Sequence, residues 1–295
     1  MNETVKKLVL FPFDLLFKIS PRAELKLMYR LKRGKRLNLD APQTYLEKLN
    51  WIKLYHRDPL MPRCADKYLA RGYIEECGFG AYLPRLYWEG TDPEAIPWDT
   101  LPDAFVLKVT SGSGGNIVCH DKAALDIPKA QKQLAHWMKQ RYRPCYGEWV
   151  YDVHPPRIIV EELLSDGVNF VPQDYKFFCF NAKEGGVGCI ALDLDRYVQH
   201  KRHIYDEKWN YLKDVDFGFP KDPGIHTPKP PQFEQMCRIA QELAKPFLHV
   251  RVDFYVIGQR FYIGELTFFN GAGYDRITPD SYDLQMGSWI RLPKP

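Results

Sequence analysis

Two carboxylates near the end of the chain sit inside apolar runs: Asp253 in Arg251-Val252-Asp253-Phe254-Tyr255, and Glu265 in Arg260-Phe261-Tyr262-Ile263-Gly264-Glu265-Leu266-Thr267. Each run is long enough for a buried strand, and the turn-like Ile257-Gly258-Gln259-Arg260 between them predicts a hairpin. An ionised carboxylate within an apolar strand is costly unless a cation or a donor meets it. Hard oxygens on adjacent strands suit Mg²⁺, which keeps waters of its own and takes one or two carboxylates together with the oxygens of a phosphate chain. The pattern therefore points to a divalent metal and a nucleotide. The competing reading pairs Asp253 and Glu265 with Arg251 and Arg260 as a structural ion network.

Three further segments carry charge where a phosphate chain would want it. Lys108 lies at the end of the apolar Phe105-Val106-Leu107-Lys108-Val109, three residues before Ser111-Gly112-Ser113-Gly114-Gly115-Asn116. Glycines there let backbone amides approach a phosphate while the ammonium neutralises it, which reads as a flexible flap, or else as a tight hairpin turn. The run is neither a P-loop nor a dinucleotide fingerprint, since both spacings are absent. Ile158-Ile159-Val160-Glu161-Glu162-Leu163-Leu164 is an apolar strand ending in two acids. It reads as an interlobe hinge, with backbone groups for an adenine edge and a carboxylate for ribose hydroxyls, or as a strand ending in solvent. In Asp174-Tyr175-Lys176 the two charges are two residues apart, so a strand projects both to one side and Tyr175 and Phe177 to the other.

The elements that must position these groups alternate in kind. A helix is predicted over 42–55, a second over 65–77 beginning at Asp66-Lys67-Tyr68, and a short strand over 83–88 followed by a loop to Asp103. Strands follow at 105–109 and 116–119, a helix at 128–141 and a strand at 157–162. Strands 174–180 and 187–192, a helix 232–244 and the hairpin complete an α+β chain. The expected division is a basic helical segment 1–60, a small subdomain 61–103, a small lobe with the flap 104–162, and a large lobe with the metal site 163–295.

Composition bounds the rest. The chain has 295 residues, 45% hydrophobic and 26% charged, with a net charge of +4, which is ordinary for a soluble globular protein. No zinc-knuckle, basic-zipper or RNA-binding pattern accompanies that small charge, so no nucleic-acid partner is expected. Seven cysteines without a Cys-x-x-Cys pair fit a reducing cytoplasm. The apolar run Leu8 to Phe17 is interrupted by Pro12 and Asp14, is too short to span a bilayer, and lacks a cleavage-site pattern. Positions 1–36 hold ten Lys or Arg against three acids. Such a segment suits peripheral contact with the inner face of an anionic membrane, or a helix packed on the core with a solvated basic face.

The order of these parts resembles the ATP-grasp fold, and within it the TupA-like branch named for teichuronopeptide biosynthesis. The resemblance covers about residues 42 to 292. It rests on Glu47-Lys48-Leu49-Asn50-Trp51, Arg57-Asp58-Pro59, Asp66-Lys67-Tyr68, Lys108 with its glycine loop, Val160-Glu161-Glu162, Asp174-Tyr175-Lys176, and the two carboxylate runs. It implies ATP held between two lobes, with Lys108 and Lys176 on the phosphates, the flap above, Glu161 to Leu164 at the adenosine, and Asp253 and Glu265 on Mg²⁺. Many relatives place Asn two residues after the metal-binding Glu; this chain has Thr267, with Asn270 as a substitute. After Asp-Lys-Tyr the branch commonly carries Val-Arg-Glu, where this chain has Leu69-Ala70-Arg71-Gly72.

The activity that the resemblance implies is carboxylate–amine ligation through an acyl phosphate, acting on a uronic-acid-like or peptidic carboxylate of a cell-surface polymer. An acidic substrate needs cations. The loop Gln199-His200-Lys201-Arg202-His203 and the post-hairpin Arg276 offer them, with Arg202 and Arg276 preferred. His200 and His203 are not read as metal ligands, because Lys201 and Arg202 between them would repel a cation. The rival reading is a metal-dependent glycosyltransferase, on Asp193-Leu194-Asp195 after an apolar run. A kinase on the same ATP site, and a nucleotide-binding module without catalysis, for which Thr267 is the hint, complete the alternatives.

Overall fold

The computed structural model describes residues 3–112, 114–140, 142–165, 172–194, 199–222, 224 and 227–293, with side chains at 3, 4, 6 and 7 outside the description. Ser113 of the flap and Asp195 of the Asp-x-Asp pattern therefore lie outside the described residues. Among the described residues nine strands form two antiparallel sheets. The first joins β1 (Leu86–Gly90), β2 (Phe105–Val109), β3 (Asn116–Cys119) and β4 (Ile158–Glu162) in the order β1-β4-β2-β3. The second joins β5 (Asp174–Phe180), β6 (Val187–Leu194), β7 (Lys201–Asp206), β8 (His249–Ile257) and β9 (Arg260–Thr267) in the order β7-β6-β5-β8-β9. The α+β expectation holds.

Each sheet has its own core. On the first, the alternating Phe105, Leu107 and Val109 of β2 and Ile158 and Val160 of β4 meet Leu134 of helix α6 (Ile127–Met138). The second is covered on both faces, and every residue of β5 and β6 is buried. Phe177 packs on Phe233 of α7 (Phe233–Ala244), with ring centroids 5.8 Å apart. Phe178 and Phe180 project the other way onto Tyr45 of α3 (Tyr45–Tyr55) at 6.5 and 5.9 Å. A capping box of Thr44 and Glu47 starts α3 by satisfying amides that the first turn cannot. Helices α1 (Glu3–Ile19) and α2 (Pro21–Arg33) close the same large core, contributing Leu10, Leu25, Met28 and Tyr29.

Three expectations are corrected. The predicted helix 65–77 is shorter, α5 (Leu69–Glu76), and a separate short helix that was not expected, α4 (Leu60–Ala65), precedes it. Asp66 Oδ1 accepts the backbone N–H groups of Tyr68 and Leu69, each at 2.9 Å, so it caps a new helix and the chain turns at Asp66-Lys67-Tyr68. The cationic loop 199–203 is largely strand: β7 forms the edge of the second sheet, with His203, Ile204 and Tyr205 buried. The segment after the hairpin contains a further helix, α8 (Asp280–Ser288), packed against α3.

Glu24 of α2 is fully buried, and neither of its carboxylate oxygens is hydrogen-bonded. Burial pushes its pKa up to about 8, against the pull of Lys53. A carboxyl of the unfolded chain titrates near 4.5, so between these values the folded state keeps a proton that the unfolded chain releases. The contribution of Glu24 to stability therefore falls as pH rises through that window. Glu24→Gln keeps the shape and removes the titration. It should melt above the wild type by a margin that widens from about pH 5 to about pH 8, reaching about 1–3 kcal/mol. A margin that is the same at both pH values in thermal melts contradicts this.

Candidate active site

The register of the second sheet sets three charged side chains in one row: Lys176 of β5 pairs across to Asp253 of β8, and Asp253 to Glu265 of β9. Arg251 and Thr267, each two residues along its own strand and register partners of one another, share that face. Two carboxylates side by side would repel, and the Arg251 guanidinium lies among their oxygens. Its Nε and Nη2 donate to the two oxygens of Asp253 at 2.6 Å each. Nη2 also reaches Glu265 Oε1 and Thr267 Oγ1, both at 3.0 Å, and Nη1 donates to Asn270 Oδ1 at 2.6 Å. All four residues expected to hold the metal thus converge on one cation.

Asn270 is held from behind by α3. Its amide donates to the Tyr45 hydroxyl at 2.6 Å. In the following turn Gly271, Ala272 and Gly273 all have left-handed φ, which is unfavourable for Ala272. Buried Lys53 and Asn50 fix that turn by donating to the carbonyl oxygens of Ala272 and Gly273.

The ion-network reading is therefore partly present, through Arg251; Arg260 is exposed and joins none of these pairs. The donor set of two carboxylates, a hydroxyl and an amide oxygen nevertheless fits a hard divalent ion in composition. The Glu265 side chain keeps 40% of its surface exposed and so stays open to exchange. Packing around Glu265 opposes its charge, but Arg251, Lys67 and Lys176 outweigh that and hold its carboxyl down at about 2. Among the described residues no group of three or more His, Cys, Asp or Glu side chains is placed to hold a metal. An ion here would complete its shell from water and phosphate.

Lys176 is buried among aspartates. It donates to Asp174 and, at 2.9 Å, to Asp253, with Asp193 at 3.7 Å. Burial works against charge on Asp193 too, but Arg202 grips both its oxygens at 2.5 and 2.9 Å and drives its pKa far below the usual carboxylate range. Arg202 also lies 3.9 Å over the Phe219 ring. It is thus in the cluster, whereas Arg276 is exposed on the loop before α8 and joins none of these ion pairs. Asp193, the first acid of the glycosyltransferase pattern, is thus held by a guanidinium as Asp253 is. His200 stands 3.0 Å from Asp193 and His203 accepts from the Asp222 amide, so the two histidines face different partners.

Across the seam, Lys108 of β2 and Arg71 of α5 both bind Glu161 of β4 at 2.7 Å, so this carboxylate is shared by two cations. Arg71 also donates to the Pro84 carbonyl at 2.8 Å. Glu162 meets the Arg85 backbone, and Leu163 and Leu164 follow, partly exposed. In the flap, Gly112 and Gly114 take left-handed φ of 70° and 87°, and Asn116 faces Lys108 across the hairpin. Lys67 donates to the Gly112 carbonyl at 2.5 Å, and burial lowers its ammonium pKa although Glu265 pulls the other way. Beside Ser111, Gly112, Gly114 and Gly115 opens a cavity of about 270 Å³ walled by Trp137, Tyr142, Tyr146 and Tyr151. The seam itself, lined by Lys67, Arg71, Glu161 and Glu265, holds only about 20 Å³.

Sequence reasoning did not select Lys67, Arg71 or Arg251 as site residues. Signals for them exist: Lys67 and Arg71 are four apart behind a capping aspartate, and Arg251 shares strand parity with Asp253.

The sequence matches the family described as TupA-like ATPgrasp over residues 47–291. No curated protein matches it. Among solved structures it resembles D-alanine–D-alanine ligase from Helicobacter pylori, with 16% identity over 84% of this chain and 69% of that one and a TM-score of 0.52. D-alanine–D-alanine ligase from Bacillus anthracis complexed with ATP is 15% identical over 70% and 55%, with a TM-score of 0.43. ATP-grasp ligase PsnB complexed with minimal precursor, Mg and ADP is 14% identical over 82% and 65%, with a TM-score of 0.41. The chain thus spans 55% and 65% of the last two. At such identities the likeness concerns the fold alone. The chain belongs to the TupA-like ATP-grasp family.

Proposed function

We propose that the protein is an ATP-dependent carboxylate–amine ligase. A substrate carboxylate oxygen attacks the γ-phosphorus of ATP and ADP leaves. An amine then attacks the acyl carbon of the resulting acyl phosphate, inorganic phosphate leaves, and the nitrogen loses a proton to give the amide. The observation that carries this reading is the charge layout of the seam. Lys67, Lys176 and Arg251 surround Glu265 on one side, and Lys108 with a glycine loop faces them from the other. A triphosphate accompanied by a divalent ion needs cations on both walls and carboxylates on one.

In this reading Lys108 and Lys176 take phosphate oxygens, and the amides of Ser111 to Asn116 close over them. Glu161 to Leu164 meet the adenosine, and Asp174 orients Lys176. Asp253 and Glu265 hold Mg²⁺ with Thr267 and Asn270 beside them, and the ion when bound neutralises charge on the phosphate chain. Arg251, relieved of Glu265, offers its N–H groups to the phosphoryl in transfer, and Arg202 lies beside it for an acidic acceptor. Holding carboxylate, phosphate and amine together accounts for about 7–11 kcal/mol of the barrier reduction available to such a site. Closure of the flap keeps water from the acyl phosphate.

The acceptor class, a uronic-acid-like or peptidic carboxylate of a cell-surface polymer joined to an amine or amino acid, rests on membership of the TupA-like branch. A screen of such carboxylates and amines for ADP release tests it. ATP with Mg²⁺ should raise the melting temperature, and UDP-sugars should not. Sustained ADP formation should require both substrates; release with the carboxylate or an alcohol alone makes the protein a kinase.

Asp253→Asn and Glu265→Gln should each lower ATP turnover by about 10²-fold or more, with the fold retained by circular dichroism. Turnover at the wild-type level removes them as metal ligands. Arg71→Gln leaves Glu161 to Lys108 alone and ties that lysine more firmly. It should raise the KM for ATP roughly three- to tenfold with little change in kcat, read from initial rates. An unchanged KM separates Lys108 from the phosphates.

A further inference from the structure

We propose that the α1–α2 pair is a peripheral docking surface for an anionic lipid bilayer. Among the described residues, eight of the eleven exposed large apolar side chains lie on these two helices. Leu8, Phe11, Leu15 and Ile19 recur at three- and four-residue steps, so they form one stripe along α1, between 50% and 75% exposed. On α2, Leu27 and Leu31 are likewise exposed, at 42% and 61%. The opposite side of α1 is already used: Leu10, Phe13 and Phe17 pack into the large core. A helix apolar on both sides, with one side left in water, has an occupant for the second.

Charge says which occupant. Lys18 and Arg30 stand exposed on the same pair of helices, and Arg36 is exposed just beyond the end of α2. Both acids of α1 and α2 whose side chains are described are turned inward: Asp14 pairs with Arg143 and accepts from the Cys145 amide, and Glu24 is buried. An apolar stripe with outward cations and, among the described side chains of the two helices, no outward acid matches an anionic headgroup layer over acyl chains. A second copy of the chain would bring cations against cations. With 17 residues α1 is short for a bilayer, and no helix among the described residues is long and apolar enough to cross one; it would lie in the interfacial plane.

Phe17, on the inner side of α1, lines a cavity of about 350 Å³ that shares Tyr142 and Arg143 with the cavity at the glycine loop. The docked helix and the flap are therefore joined through one set of side chains, an arrangement suited to an acceptor that stays attached to lipid. That last step rests on the ligase reading; the docking does not.

The test is co-sedimentation of the full chain with vesicles of phosphatidylcholine alone and with about a third phosphatidylglycerol. Binding should require phosphatidylglycerol and weaken as salt is raised to about 0.5 M. The triple variant Leu8→Gln, Phe11→Gln, Leu15→Gln, all at exposed positions, should lose roughly tenfold or more in partitioning, and Lys18→Gln with Arg30→Gln should lose several-fold. Stabilisation by ATP and Mg²⁺ without lipid, measured on the same proteins, should match the wild type. A chain that fails that nucleotide test but binds vesicles leaves docking standing and removes only the ligase reading. Absence of binding to phosphatidylglycerol vesicles, or a triple variant that binds like the wild type, overturns the proposal. So does concentration-dependent self-association that the triple variant abolishes without any vesicle binding, which would assign the face to a second copy.

Discussion

Two like charges on neighbouring buried strands cannot stay together unaided, and Arg251 holds Asp253 and Glu265 in place. The sheet register brings these carboxylates into adjacent positions, with Lys176 one strand further on. A single guanidinium then contacts Asp253, Glu265, Thr267 and Asn270 with donors in a rigid fork. Burying such a cluster is unfavourable unless nearly every donor and acceptor is met. That demand propagates outward: Asn270 needs Tyr45, and the turn after it needs Asn50 and Lys53, so α3 is bound to the chemistry of a sheet far from it in sequence.

The two lobes are connected by polar reach as well as apolar packing. Helices α4 and α5 share the core of the second sheet, with Met61, Cys64, Ala70 and Ile74 buried there. From that base Lys67 and Arg71 extend to the flap and to Glu161 of the first sheet. Arg71 from one side pairs with Glu161 from the other, so the narrow seam is spanned by an ion pair. Under the proposed function a nucleotide entering it would exchange such pairs for its own, which would couple binding to separation of the two sheets.

Legibility in the sequence followed burial. Strands β2, β3 and β5 fall at the residues that the apolar runs mark, and the β8–β9 hairpin forms around the expected turn, because β-branched and aromatic residues there are packed on a sheet. Parity correctly put Asp174 and Lys176 on one face. Edges and breaks were harder. Lys201 and Arg202 give β7 the composition of a loop, which is how an edge strand with a solvated start is written. The short helix α4 was missed, and the start of α5 was placed too early because it depends on the Asp66 side chain meeting the amides of Tyr68 and Leu69. Arg251 appeared as a rival explanation for the carboxylates and turned out to be their organiser, since one-dimensional spacing does not reveal how many oxygens meet at a guanidinium.

Lys67 makes its side-chain contact with the flap through a neutral backbone oxygen, that of Gly112, rather than through an acid. An ammonium tied to a carbonyl prefers any anion that comes within range, because a charged acceptor binds it roughly twice as strongly. The contact with Gly112 would therefore compete with any phosphate bound in the proposed cleft. In the proposed ligase a triphosphate would draw the lysine away and release the glycine backbone, so that the cargo would itself unlock the cover.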